Sequence, residues 1–114
     1  LLSLLFKGGD YIVRKIINRK MYNTKSAKEI YYWNNGSSHS DFDFCEETLF
    51  CKRTGEFFLY GSGGASSKYS RSCGLNSWEG SEEIIPLTED KARKWMETHA
   101  DVEDYIKIFG EPEE

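Results

Sequence analysis

Hydrophobic and polar positions along the chain change period from front to back. Residues 13–22 place Ile16 and Ile17 before Asn18-Arg19-Lys20, with Met21 and Tyr22 after it. That pattern predicts a short hairpin, because Asn tolerates the positive φ of a tight turn. Asn23 or Thr24 then offers a capping oxygen. Ala27, Ile30, Tyr31 and Asn34 follow at helical spacing and predict a first helix, stopped at Asn34-Asn35-Gly36. Residues 35–46 are polar and read as a loop, with Phe42 and Phe44 as its anchors. Residues 47–52 and 56–60 alternate as two strands, and Arg53-Thr54-Gly55 supplies their turn. Residues 61–81 are rich in Gly and Ser and predict a long flexible loop. A strand resumes over 82–87, with Pro86 near its end. Thr88 caps a helix whose first turn carries Glu89 and Asp90 and whose apolar stripe is Ala92, Trp95, Met96 and His99. Asp101 caps a last helix with Val102, Tyr105, Ile106 and Phe109 on one face, ended by Gly110 and Pro112. The expected fold is α+β: a small antiparallel sheet of about five short strands in two hairpins, with three helices packed on one side. No internal repeat is visible.

Composition narrows this picture. The chain has 114 residues, enough for one domain and too few for two well-packed ones. Seven Phe, seven Tyr and three Trp can fill a compact core despite 30% charged residues. The net charge of −4 is unevenly spread. Residues 1–28 hold seven basic residues against Asp10 alone, whereas residues 82–114 hold eleven acids against four bases. Three cysteines, Cys45, Cys51 and Cys73, fit neither a zinc motif nor a disulfide scaffold, so reduced thiols in the cytoplasm are expected.

The first residues, LLSLLF, are too short an apolar run to span a membrane and lack the order of a signal peptide. Lys7-Gly8-Gly9-Asp10 can be encoded by a purine-rich ribosome-binding sequence, and the codon for Val13 can be a bacterial start. Residues 1–12 are therefore expected to be a translated leader, and residues 13–114 a single α+β domain.

Catalytic chemistry finds little support. His39 and His99 are the only ready bases, and no GxSxG elbow accompanies the abundant Ser. Gly61-Ser62-Gly63-Gly64 with Ser66-Ser67-Lys68 is neither a P-loop nor GxGxxG, and reads as a turn leaving a strand. No metal motif is present, and no cofactor is expected. Two binding readings remain. In one, Arg14, Lys15, Arg19, Lys20, Lys25 and Lys28 contact phosphates from the hairpin and first helix, with the Arg53 turn as a wing, as in excisionase-type winged helices. Against it stand the missing second basic helix and a pI near 5.3. In the other, the acidic C-terminal helices face a basic protein groove.

The segments KIINRKMYNTKSAKEI (15–30), ETLFCKRTGEFFLYGSGGASSKYS (47–70) and SEEIIPLTEDKARKWMETHADVEDYIKIFGE (81–111) resemble a group of small bacterial proteins from phages and mobile elements. Their pattern is KIINxKxYDTxTA, then ETLYxTxxGxFFLxGxGGxxSKY, then IIPLTxxEAxxW. Asn23 stands where Asp is usual, and Ser62 where an acid is common. The resemblance implies an anti-CRISPR-like, non-enzymatic inhibitor that binds a bacterial defence protein, such as a Cas effector or its RNA complex. The contacts expected on that reading are Ser66, Lys68, Tyr69 and Arg71 in the Gly/Ser loop, and Glu89, Asp90 and Glu97 on the acidic helix. A small DNA-binding regulator is the alternative.

Overall fold

The computed structural model describes residues 12–114. The leader reading rests almost wholly on residues 1–11, which lie outside the described residues. Eight strands and two helices follow in chain order. β1 (Arg14–Ile17) and β2 (Lys20–Asn23) form the expected hairpin. Its two turn residues, Asn18 and Arg19, take φ of 51° and 67°. Two consecutive left-handed residues give the turn whose twist matches that of the flanking strands.

The expected first helix is absent. After a turn at residues 24–27, the chain runs into β3 (Lys28–Asn34). Asn23 does not cap a helix; its Oδ1 accepts a hydrogen bond from the Lys25 amide at 2.9 Å. The reason for the misreading is local. The β3 register shifts between Glu29 and Tyr31, so Ile30 is an inserted residue. The insertion sends Ile30 and Tyr31, adjacent in sequence, to the same core. A bulge breaks the two-residue alternation of a strand and here imitates helical spacing. The content of the segment, Ile-Tyr-Tyr-Trp, favours a strand.

β4 (Cys45–Cys51) and β5 (Phe57–Gly63) make the central hairpin. Gly55 at φ 93° closes its turn, as a three-residue loop requires. β6 (Arg71–Gly74) and β7 (Ser77–Glu79) then form a separate two-stranded ribbon. The Gly/Ser region is thus a strand end, a tight segment at 64–70 and a ribbon, in place of one continuous loop. β8 (Ser81–Leu87) completes a four-stranded antiparallel sheet ordered β3-β4-β5-β8. Pro86 sits on this edge strand, where a missing amide leaves no ladder bond unmade.

Helices α1 (Glu89–His99) and α2 (Val102–Phe109) begin at the expected caps. Thr88 Oγ1 accepts from the Lys91 amide at 3.2 Å, and Asp101 Oδ1 accepts from the Asp104 amide at 2.9 Å. The described residues hold two helices, not three. Both pack on one face of the four-stranded sheet. Ala92, Trp95 and Met96 of α1 meet Leu49 and Leu59, with Tyr105, Ile108 and Phe109 of α2 beside them. The opposite face carries Phe50, Phe58 and Ile84, and the β1–β2 hairpin covers it through Tyr22 and Ile17. Strand alternation therefore feeds two cores. Of the two expected loop anchors, Phe44 is buried and Phe42 is 74% exposed. No helix of the described residues is long and apolar enough to cross a membrane.

Candidate interaction surface and its buried anchor

Three separated stretches of the sequence meet at one carboxylate. Glu47 lies on β4 with its side chain fully buried. Its Oε2 accepts from the Tyr69 hydroxyl at 2.5 Å and from Lys68 Nζ at 2.6 Å. Its Oε1 accepts from Trp95 Nε1 at 2.7 Å. His99 Nε2 stands 3.8 Å from the same Oε1, and its ring contacts both Trp33 and Trp95. Burial alone would push the Glu47 carboxyl up, but the hydrogen bonds from Lys68, Tyr69 and Trp95 overrule it and hold it below the ordinary carboxylate range. Tyr69 is pushed strongly up, by burial first and by its bond to Glu47 second. Burial lowers His99 more than the nearby Glu47 raises it. The carboxylate is therefore ionised, and its oxygens are engaged by protein donors. Three donors from Lys68, Tyr69 and Trp95 on its two oxygens make it a structural clamp.

The glycines make this clamp fit. A Cβ on Gly61 would fall 2.0 Å from the Tyr69 ring, so only Gly allows that ring to lie across β5. A Cβ on Gly64 would strike the Phe42 carbonyl oxygen at 2.5 Å, and the Gly64 amide already donates to the Phe44 carbonyl. The GSGG run thus serves close backbone packing and leaves the Gly64 amide unavailable to a phosphate.

Out of this anchored base projects the β6–β7 ribbon. Arg71 Nε and Glu79 Oε2 join its two strands at 2.5 Å. Gly80 rests against the Gly63 backbone on the return side. Asn76 turns the tip with φ 57°. Beyond the base, Leu75 is 92% exposed and Trp78 61% exposed, and Cys73 is exposed beside them. No ribbon residue belongs to either core cluster of the described residues. A free two-stranded ribbon is marginal in water; this one is tied across its strands by Arg71 and Glu79 and enters and leaves next to Tyr69 and Gly80.

Comparison of the chain with protein-family models, with curated proteins and with solved structures finds no match.

The expected contact residues divide. Ser66 and Arg71 are exposed, at the segment before the ribbon and at its base. Tyr69 is corrected: it is 4% exposed with its hydroxyl committed to Glu47, so it is a core residue and offers no contact surface. Lys68 is exposed along its stem, with its ammonium on Glu47. Glu89, Asp90 and Glu97 are exposed on α1, but Glu89 joins Arg93 at 2.7 Å, and Lys91 and Lys94 intervene. That helix face is of mixed sign. Sequence reading did not single out Leu75 and Trp78, because a Gly/Ser-rich context hides a ribbon of strands this short.

The basic residues also separate. Arg14, Lys15, Arg19 and Lys20 stand on the β1–β2 hairpin, Lys25 in the turn after it, Lys28 at the start of β3 and Arg53 in the β4–β5 turn. Lys20 is engaged by Glu56 at 2.5 Å. The winged-helix arrangement needs a helix where residues 28–34 form a strand, so that alternative loses its docking element. Among the described residues no group of three or more His, Cys, Asp or Glu side chains could hold a metal ion.

Proposed function

We propose that this protein is a non-enzymatic inhibitor from a phage or mobile element that docks on a bacterial defence protein or complex, in the manner of an anti-CRISPR. The observation carrying this reading is the projecting ribbon, which presents Leu75 and Trp78 to solvent above a rigid, clamped base. Trp is enriched among the residues that dominate binding energy at protein interfaces, and a pre-ordered arm loses little freedom on docking. The resemblance of residues 15–30, 47–70 and 81–111 to mobile-element proteins supplies the class of partner. Ser66, before the ribbon, and Arg71, at its base, belong to the proposed contact, as does the stripe of Asp90 and Glu97 on α1.

The test is inhibition of DNA or RNA cleavage by guide-loaded Cas effectors of several types, titrated with the purified chain. The expected result is stoichiometric inhibition of one effector, weakened at least tenfold by Trp78→Ala and by Leu75→Ser at unchanged melting temperature. Cleavage unaffected across the effectors, or inhibition indifferent to both substitutions, refutes the reading.

A further inference from the structure

At the far end of the sheet lies a cleft whose charge contradicts the acidic balance of the chain. Its volume is about 570 Å³, within the range of small-ligand sites. Four cationic side chains line it, Lys28, Lys52, Arg53 and Lys107, and no Asp or Glu does. They come from three places in the fold. Lys28 opens β3 and pairs across the sheet with Cys51, which pairs in turn with Phe57. Lys52 and Arg53 begin the β4–β5 turn, and Lys107 lies in the last turn of α2. The floor is apolar, formed by Ile30, Phe57 and Ile108.

Three of these four cations are not spent on the protein; the fourth, Lys52, is held by Glu56 and lies over the Tyr22 ring. Among the described residues, the ion pairs with carboxylates use Lys20, Lys52, Lys68, Arg71 and Arg93, with the two His as further neighbours of Glu46 and Glu47. Lys28, Arg53 and Lys107 enter none of them. Glu56 is the one carboxylate at this end that engages a lining residue, and it is shared between Lys20 and Lys52. Glu29, the neighbour of Lys28, faces the other side of the sheet, since it pairs with Phe50 of the second core. Lys107 gains from the negative end of the α2 dipole, which accounts for one cation only.

Three cations without a carboxylate partner, lining one cleft with an apolar floor, suit a phosphate ester with a planar, weakly polar body. Lysines meet the phosphate as point charges, Arg53 offers a planar fork, and Phe57 with Ile30 and Ile108 receives the body. We propose that this cleft binds a nucleoside monophosphate, with Lys28, Arg53 and Lys107 as the phosphate ligands. The site lies apart from the β6–β7 ribbon and does not depend on the docking function.

The test is an amide-resolved NMR titration of the full chain with adenosine monophosphate, adenosine and inorganic phosphate in separate arms. Adenosine monophosphate should give saturable shifts at the amides of Lys28, Arg53 and Lys107, weakening as salt is raised. Adenosine and inorganic phosphate should each bind at least tenfold more weakly. Lys28→Ala, Arg53→Ala and Lys107→Ala should each lower the affinity by roughly tenfold, the usual scale of one hydrogen bond to a charged group. Lys94→Ala, on the exposed face of α1, should leave it unchanged. All of these side chains are solvent-facing, and retained amide dispersion will show that the variants fold. The proposal falls if no saturable shift occurs, if inorganic phosphate binds as tightly as the nucleotide, if the cleft variants bind like the parent, or if only a multi-nucleotide strand binds.

Discussion

Replacing Glu47 by Gln keeps the volume of the side chain and removes its charge. In the parent, Oε2 holds the Tyr69 hydroxyl and the Lys68 ammonium, while Oε1 holds the Trp95 indole N–H. An amide presents one oxygen and one NH2 group in place of two acceptors. If the oxygen faces Trp95, the NH2 meets the Lys68 ammonium donor against donor, and the Tyr69 hydroxyl must turn to accept from it, losing its bond to a charged oxygen. Hydrogen bonds to a charged group contribute roughly 1.5–3 kcal/mol each, and a buried donor left unmade costs about 1–3 kcal/mol. Lys68 is 63% exposed and recovers most of its hydration, so its share is small. The expected loss is therefore about 2–4 kcal/mol, carried by Tyr69 and Trp95. That is a large part of the roughly 5–15 kcal/mol typical of a whole domain. Urea unfolding followed by tryptophan fluorescence reads it, as a lower midpoint at unchanged slope. The same variant tests the acid limb. The folded carboxyl lies below its ordinary value of 4.5, so its stabilisation is complete above that pH and is lost as pH falls through the folded value. Glu47→Gln should flatten that part of the stability profile. A variant within about 0.5 kcal/mol of the parent, the scale of an ordinary surface substitution, with an unchanged acid limb would refute the clamp.

Three further outcomes follow from the same geometry. Gly61→Ala should destabilise by about 1–3 kcal/mol, the range for overpacking, because its methyl group collides with the Tyr69 ring; chemical denaturation measures it. Arg19→Gly should raise stability by up to about 1 kcal/mol, since Arg19 sits at φ 67° where a side chain is strained; a higher melting temperature checks it. His99 has its folded value lowered beneath 6.5, chiefly by burial, so the unfolded chain binds the extra proton first. Stability should therefore decline as pH drops from 6.5 through the folded value, and His99→Gln should remove that step, seen in urea midpoints across the range.

Much of the backbone plan is written in local residues. Asn18 announced the first turn, Gly55 the second, and Thr88 and Asp101 the helix starts, because each acts on its own neighbours through φ or a short side-chain bond. The stripe of Ala92, Trp95 and Met96 likewise identified the face that α1 buries. What misled the reading also has a local cause: the bulge at Ile30 gave a strand the spacing of a helix. The ribbon escaped notice because its strands are only four and three residues long and lie in a Gly/Ser-rich context.

The clamp and the cleft belong to a different level. Glu47, Tyr69 and Trp95 are far apart along the chain, and nothing in their own neighbourhoods says that they will share one buried carboxylate. Lys28, Arg53 and Lys107 converge only because β3, the β4–β5 turn and the end of α2 meet at one edge of the sheet. Short-range preferences were thus settled by sequence, since they need only adjacent residues. Charge pairing and burial were settled by tertiary structure, since they depend on which distant side chains water is excluded between.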